Sequence, residues 1–256
     1  MGNNAINIGH DECPVRFVTK IKSRQVLVQA LVAALSAMVL MGVKLPMPTA
    51  AEIAGGRPLA LITRQPLFII AVLCGAVSYM LMNFLMTAAP LAMRLCGHSQ
   101  ETSNLGLQWH VIAMYAPSFF TGHLITRFGA GRVVAMGLAL IGVSAAVGLA
   151  GIGVAHFWLS LILLGVGWNF GFIGASALVL ECHRPEEKTR VQALNDFIVF
   201  GTMAVGSFSS GALLTAYGWD TVLWVSFVPF VPLALAVIAL MFAARLRSLS
   251  IERKGI

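Results

Sequence analysis

Residues 133–180 read VVAMGLALIGVSAAVGLAGIGVAHFWLSLILLGVGWNFGFIGASALVL and contain no Asp, Glu, Lys or Arg. An α-helix that crosses roughly 30 Å of hydrocarbon needs about 20 predominantly apolar residues. The stretch is therefore long enough to cross a membrane twice. We predict transmembrane helices over 133–153 and 155–180.

The rest of the chain has the same apolar character. Of its 256 residues, 58% are hydrophobic and 11% are charged, whereas an average soluble domain has roughly 45–50% apolar and about 25% charged residues. A soluble protein of this size could not bury so much apolar surface, so the composition excludes a soluble enzyme. Four cysteines are also too few for a disulfide scaffold.

The charged residues occur in clusters, and the runs between the clusters define the predicted fold. Seven transmembrane helices are expected, over 25–44, 66–92, 107–126, 133–153, 155–180, 191–216 and 220–243. The fold class is an all-α membrane protein, in which a six-helix transmembrane bundle over 66–243 follows one transmembrane helix over 25–44. A polar N-terminal tail (1–24), a loop (45–65) and a basic tail (244–256) complete the organisation. Kinks are expected where prolines lie inside helices, at Pro90, Pro117, Pro229 and Pro232.

The distribution of Lys and Arg predicts which loops face the cytoplasm. Short loops that carry excess positive charge remain cytoplasmic. Twelve cations fall on one side of the six-helix bundle, whereas the opposite loops hold only Arg94. We therefore expect loop 45–65 and the tail 244–256 to be cytoplasmic. The twelve cations are Lys44, Arg57, Arg64, Arg127, Arg132, Arg184, Lys188, Arg190, Arg245, Arg247, Arg253 and Lys254.

The helix at 25–44 does not fit this pattern, because four cations in residues 1–24 would then lie outside. Three explanations remain open. The helix inserts under the constraint of its neighbours, it lies along the membrane surface, or the N-terminal sequence is not that of an intact parent protein.

A loop with glycines and arginines joins the predicted helices at 107–126 and 133–153. Its first glycine is expected to let helices approach closely, and its later ones to form a tight turn. The loop resembles the cytoplasmic motif G-x-L-[AS]-D-R-x-G-R-[RK] of the Major Facilitator Superfamily, with Thr126 in place of the motif's Asp. The matching residues are Gly122, Leu124, Arg127, Gly129 and Arg132.

This resemblance extends along the chain. Residues 181–196 resemble the loop that leads into helix eleven of bacterial members, and 46–65 resemble the end of their central loop. Residues 66–243 then correspond to helices seven to twelve, and 25–44 to helix six. The departure at Thr126 is usual for the second copy of the motif, between helices eight and nine.

The resemblance implies a secondary active transporter in a bacterial inner membrane, with its C-terminus in the cytoplasm. Such a protein carries a small solute by alternating access between two six-helix halves. We expect the transport to be coupled to an ion. Since this chain supplies one half and one further helix, we expect a truncated or split-gene transporter, or a half that forms a homodimer. The solute remains unidentified.

Polar and aromatic residues inside the spans are the candidate solute-binding groups: Asn83, Trp168, Asn169 and Asn195. A Trp–Asn pair in the middle of a span could stack on a solute and form hydrogen bonds with it. The alternative is that Trp168 fills space beside the glycines of its helix. A lone amide such as Asn83 more often bonds a neighbouring helix.

Two ionisable residues are candidates for ion coupling or gating. Asp196 is the one acidic residue clearly inside a predicted span, where a charge is costly and therefore suggests function. Its alternative role is at the start of its helix, pairing with Arg190 or Arg127. His110 could take part in a proton step, or it is simply hydrated at the outer end of its helix.

Other classes of function have little support in the sequence. A non-transporting membrane fragment, scaffold or assembly protein is the rival interpretation. Because HExxH, GxGD and nucleotide-binding motifs are absent from the sequence, we expect no enzyme activity or cofactor. The net charge of +7 does not indicate a nucleic-acid partner, because the cations are spread over membrane loops. The run His10–Cys13 contains metal-ligand residue types, but a polar tail produces such runs by chance, and we expect no metal.

Overall fold

The computed structural model describes residues 15–42 and 56–254, and it describes side chains within 27–42 and 56–239. All regular structure in the described ranges is helical, which confirms the predicted all-α membrane fold. The chain divides into two compact units, residues 1–49 and 50–256, and each is treated by itself. Much of the predicted tail, part of the predicted loop and the run His10–Cys13 lie outside the described residues.

In the first unit, helix α1 spans Val15–Gly42. It begins ten residues before the predicted transmembrane helix at 25–44. The structure describes its side chains over Leu27–Gly42, an apolar segment that covers part of the predicted transmembrane helix. A crossing by this helix therefore stays a prediction.

The second unit contains eight helices within residues 56–254. A short helix, α2 (Leu59–Thr63), is followed by seven others: α3 (Pro66–Leu95), α4 (Gln100–Tyr115), α5 (Ser118–Phe128), α6 (Ala130–Leu149), α7 (Val154–Glu181), α8 (Lys188–Tyr217) and α9 (Trp219–Lys254). A 3₁₀ turn, Pro185–Glu187, precedes α8. Five of these helices are long and apolar enough to cross a membrane: α3, α6, α7, α8 and α9.

The remaining predicted span of the bundle, 107–126, is divided between α4 and α5. Pro117 has no backbone N–H, so it cannot donate to the carbonyl one turn earlier. The backbone nevertheless keeps helical angles at Ala116 (φ −57°, ψ −40°) and Pro117 (φ −63°, ψ −21°). The expected proline interruption is therefore a local break between two helical segments, and the six predicted spans of the bundle are all helical.

Helices α3 and α7 form the centre of the unit. They are the most buried of the five long helices. Helix α7 packs against α3, α4 and α6, while α3 also packs against α8 and α9.

Close packing of α6 on α7 depends on glycine. A Cβ atom built on Gly137 would lie 2.2 Å from the backbone N of Gly171 and 2.7 Å from the carbonyl oxygen of Gly167. Gly167 and Gly171, one turn apart on α7, thus form the small-residue face that lets α6 approach closely. This contact fixes the orientation of the residues between them, including Trp168 and Asn169.

The turn between α5 and α6 is made at Gly129. Its φ of +86° lies in the region that favours glycine, and α6 begins at the next residue. The predicted tight turn is confirmed at Gly129, whereas Gly131 already lies inside α6. The expected close helix approach at Gly122 is wrong within this unit, because a Cβ atom there would have no heavy atom within 4 Å.

Candidate functional site

Five aromatic rings from four helices form the aromatic cluster, defined as Tyr79, Tyr115, Trp168, Phe172 and Phe200. The Tyr79 ring makes edge-to-face contacts with Trp168, Phe172 and Phe200, at centroid distances of 5.4, 5.0 and 5.6 Å. Trp168 is stacked on Phe172 at 5.4 Å, and Tyr115 meets Trp168 edge-on at 6.2 Å. The cluster thus joins α3, α4, α7 and α8.

The rings of the aromatic cluster differ in exposure. Trp168 is 6% exposed, whereas Phe200 is 47% and Tyr115 is 60% exposed. Tyr79 and Phe172 are half-buried. The cluster therefore extends from the core of the unit to its surface.

The Trp168 indole N–H has no hydrogen-bond partner among the described residues, although the atom is buried. A buried tryptophan usually finds a partner for this group, since an unpaired donor loses its bond to water without replacement. Trp168 therefore keeps a buried donor that none of the described residues accepts.

Asn83 lies on α3 one helical turn after Tyr79, on the same face of the helix. It is half-buried, and its Oδ1 accepts a hydrogen bond from Thr87 Oγ1 at 3.2 Å. None of the described residues accepts a hydrogen bond from its Nδ2. Of the four predicted solute-binding residues, Trp168 and Asn83 are thus the two whose side-chain nitrogen donates to none of the described residues.

Asn169, the neighbour of Trp168, has a different environment. It is 0% exposed, and its Nδ2 donates to the Met114 carbonyl oxygen and to Ser118 Oγ, both at 2.7 Å. Its Oδ1 accepts from Thr121 Oγ1 at 2.6 Å. The amide therefore connects α7 to both sides of the proline break, and we call these four residues the Asn169 network.

Asn195 and Asp196 lie in the first third of α8. Asn195 is 6% exposed and donates from Nδ2 to Asp196 Oδ1 at 3.2 Å. Asp196 itself is exposed. The suggested pairing of Asp196 with Arg190 does not occur, because Arg190 Nη2 instead donates to the Arg57 carbonyl oxygen at 3.1 Å. Asp196 lies one helical turn before Phe200 of the aromatic cluster, on the same face of α8.

His110 is fully buried, so the interpretation of a hydrated side chain is wrong. Its Nδ1 lies 2.6 Å from the Leu161 carbonyl oxygen. Because a carbonyl oxygen can only accept, Nδ1 carries the hydrogen. Nε2 then offers a lone pair, and it has no partner in the part of the chain that the structure describes.

The residues of the loop motif lie at the surface of the unit. Arg127 and Arg132 are exposed, and the Arg127 guanidinium lies 5.4 Å from the centroid of the neighbouring Phe128 ring. Within the described ranges neither arginine forms a salt bridge. Gly122 and Gly129 are exposed as well, while Leu124 is half-buried.

Sequence reasoning missed an ionic contact between the segment before α2 and the 3₁₀ turn before α8. Glu187 is 0% exposed. It accepts from the backbone N, Nε and Nη2 of Arg57 at 2.7, 2.9 and 2.8 Å, and from the Arg184 backbone N at 3.0 Å. We call this group the Glu187 clamp. The Arg57 hydrogen bonds hold the pKa of the Glu187 carboxyl well below its usual range.

A cavity of about 200 Å³ lies between α3, α8 and α9. Its walls are almost entirely apolar, and they include Met80, Phe84, Gly206 and Pro229. None of the predicted site residues lines it. We also find no group of three metal-ligand side chains in the described residues.

Helices that cross a membrane and enclose polar and aromatic groups define an integral membrane protein of the helical-bundle class. Residues 71–254 match the family model of the Major Facilitator Superfamily. The chain belongs to this superfamily, as the loop motif predicted.

Curated relatives add detail. The chain is 57% identical over 180 residues to the riboflavin transporter RfnT of Brucella anthropi, a match that covers 70% of this chain and 45% of that protein. It is 33% identical over 150 residues to the uncharacterized MFS-type transporter YddS of Bacillus subtilis, covering 57% of this chain and 34% of the relative. The matched segments therefore span less than half the length of these relatives.

Proposed function

We propose that this chain is part of a membrane transporter whose solute is riboflavin or a closely related planar heteroaromatic compound. The observation that carries the proposal is the 57% identity over 180 residues with a riboflavin transporter. The aromatic cluster supports it, because aromatic side chains provide a stacking surface for a ring system. Transport, rather than catalysis, is the activity expected of the superfamily.

The mechanism we propose is alternating access, in which a six-helix half moves against a second six-helix half around the solute. Helices α3 to α9 supply one half. The second half is a further six-helix bundle, in the same parent polypeptide, in a separate polypeptide or in a second copy of this chain. The surrounding membrane in this proposal is the bacterial inner membrane that the resemblance to the superfamily implies, and the distribution of cations predicts a cytoplasmic C-terminus.

Asp196 is the ion-coupling group that we propose. It is an exposed acid within the predicted span 191–216, where an ionisable group suggests function. His110 is a weaker candidate, because it is fully buried and its Nδ1–H is already donated to a backbone carbonyl. Riboflavin uptake that is unchanged by Asp196→Asn, with and without a pH gradient, would remove this role and leave transport intact.

Transport can be tested in a bacterial strain that cannot synthesise riboflavin. The strain would express the full chain alone, or together with the N-terminal six-helix half of the Brucella anthropi relative, and uptake of labelled riboflavin would be measured. We expect uptake above the empty-vector control in at least one of the two. No uptake in either, with the chain present in the membrane fraction, would contradict the proposal and favour a non-transporting scaffold.

A further inference from the structure

We infer that the aromatic cluster is the binding site for the ring system of a planar, fused heteroaromatic solute, and that the Trp168 indole N–H donates to an acceptor on that ring system. The inference rests on the proposed function, and it specifies where and how the solute binds. It adds Tyr79, Phe172, Phe200 and Tyr115 to the one aromatic residue that sequence reasoning selected.

The first argument is the partial exposure of the aromatic cluster and the position of its rings on the helices. Two of the rings are only partly covered by protein, because Phe200 and Tyr115 leave 47% and 60% of their surface exposed. They stand on α8 and α4, on either side of the central helices α3 and α7, which carry the buried part of the cluster. A flat solute can therefore reach an aromatic surface that continues into the core.

The second argument is the unpaired indole N–H. Phenylalanine would fill apolar space beside glycines without leaving a buried donor unpaired. Trp168 instead places a donor inside the aromatic cluster, 6% exposed and with no partner in the described residues. A ring nitrogen or carbonyl oxygen of a heteroaromatic solute would supply the missing acceptor.

Trp219 shows that an unpaired indole alone does not make such a site. Its N–H is also buried and unpaired among the described residues. However, it contacts one aromatic ring, that of Phe157, which is 1% exposed. Without a partly exposed stacking surface beside it, Trp219 serves as the matched control.

Asn83 gives the site a polar end. One turn from Tyr79 on α3, its Nδ2 can donate to hydroxyl groups of a substituent on the ring system. The expected solute thus combines a stacking ring with a polar chain, and the ring supplies most of the affinity.

The test is direct binding to the purified full chain in detergent, measured by quenching of flavin fluorescence. The probes are riboflavin, lumichrome (the ring system without the sugar-alcohol chain) and ribitol as a competitor. We expect both ring compounds to bind saturably and ribitol not to compete. Tyr79→Leu should weaken lumichrome binding about tenfold, the size of one lost stacking contact. Trp168→Phe keeps an aromatic ring but removes the donor, and should weaken binding about fivefold.

Two controls separate the outcomes. Trp219→Phe should bind lumichrome like the unaltered chain, and circular dichroism with gel filtration confirms that each variant is folded. Absence of saturable lumichrome binding to the unaltered chain would overturn the inference, as would unchanged binding to folded Tyr79→Leu and Trp168→Phe. Lumichrome binding that needs Tyr79 and Trp168, in a chain that transports no riboflavin, would support the site while contradicting the proposed function.

Discussion

Trp168 and Asn169 are adjacent on α7, yet their polar groups have opposite surroundings. The Asn169 amide, fully buried, uses its nitrogen and its oxygen in hydrogen bonds to the proline break between α4 and α5. The Trp168 indole N–H, also buried, has no partner among the described residues and stands in a cluster of rings that reaches the surface.

This difference separates a structural role from a ligand-binding role. A satisfied buried polar group stabilises the fold, and removing it leaves its partners unpaired. An unsatisfied one lowers stability, because its bond to water is not replaced, and it can gain a partner when a solute binds. Substitutions in satisfied groups should therefore reduce stability, while substitutions in the aromatic cluster should chiefly reduce binding.

The Glu187 clamp is a second satisfied group, and it should show the largest effect. Glu187→Gln keeps the size of the side chain but removes the charge that accepts four hydrogen bonds. We expect its unfolding temperature, measured in detergent at pH 7, to fall further than that of Gly137→Ala, Asn169→Leu or Asp196→Asn. Glu186→Gln is the control, since Glu186 is exposed and should leave the unfolding temperature unchanged.

The clamp also predicts a pH dependence with a definite sign. Because the folded state holds the pKa of Glu187 below its ordinary value of 4.5, the stabilisation is fully present above that pH. It should decline as the pH falls below 4.5, so the unfolding temperatures of the unaltered chain and Glu187→Gln should converge in acid. A difference that stays constant from pH 7 to pH 3 would contradict the assignment.

The glycine contact that orients Trp168 and Asn169 should show the next largest effect. Gly137→Ala places a Cβ atom 2.2 Å from a backbone nitrogen of α7, so the two helices must separate. We expect a loss of about 3 kcal/mol in unfolding free energy by denaturant titration, at the upper end for overpacking. Gly122→Ala, which has open space around its Cβ atom, should cost nothing.

The Asn169 network should show a smaller but clear loss. Asn169→Leu leaves the Met114 carbonyl and the Ser118 and Thr121 hydroxyls without the amide, and we expect about 2 kcal/mol lower unfolding free energy. Asn83→Leu, at a half-buried amide with one long hydrogen bond, should change the unfolding free energy by less than about 0.5 kcal/mol. Equal losses for the two variants would remove the distinction between a satisfied and an available amide.

Asp196→Asn should show the smallest effect on stability. Asp196 is exposed, and its Oδ1 accepts one hydrogen bond, which the new amide oxygen can still accept. The unfolding free energy should change by less than about 0.5 kcal/mol. A loss above about 1 kcal/mol would instead indicate a structural role at the start of α8.

The sequence predicted the helices well because their signal is local. Runs of about 20 uncharged residues determine the spans. Gly129 determines one turn, and Gly167 and Gly171 allow one close helix contact. The aromatic cluster and the Glu187 clamp join residues far apart in the chain, as between Arg57 and Glu187, and no local pattern reports such partners. For the same reason Trp168 and Asn169 looked like one candidate pair, although their hydrogen-bond environments differ.

The most direct test is the nuclear magnetic resonance signal of the Trp168 indole N–H. The chain has five tryptophans, so ¹⁵N-tryptophan labelling in detergent gives five indole signals, and loss of one in Trp168→Phe identifies Trp168. On saturation with riboflavin, the Trp168 signal should shift downfield as it gains a hydrogen bond, while that of Trp219 stays in place. Bound riboflavin, shown by quenched flavin fluorescence, with an unmoved Trp168 signal would contradict the account.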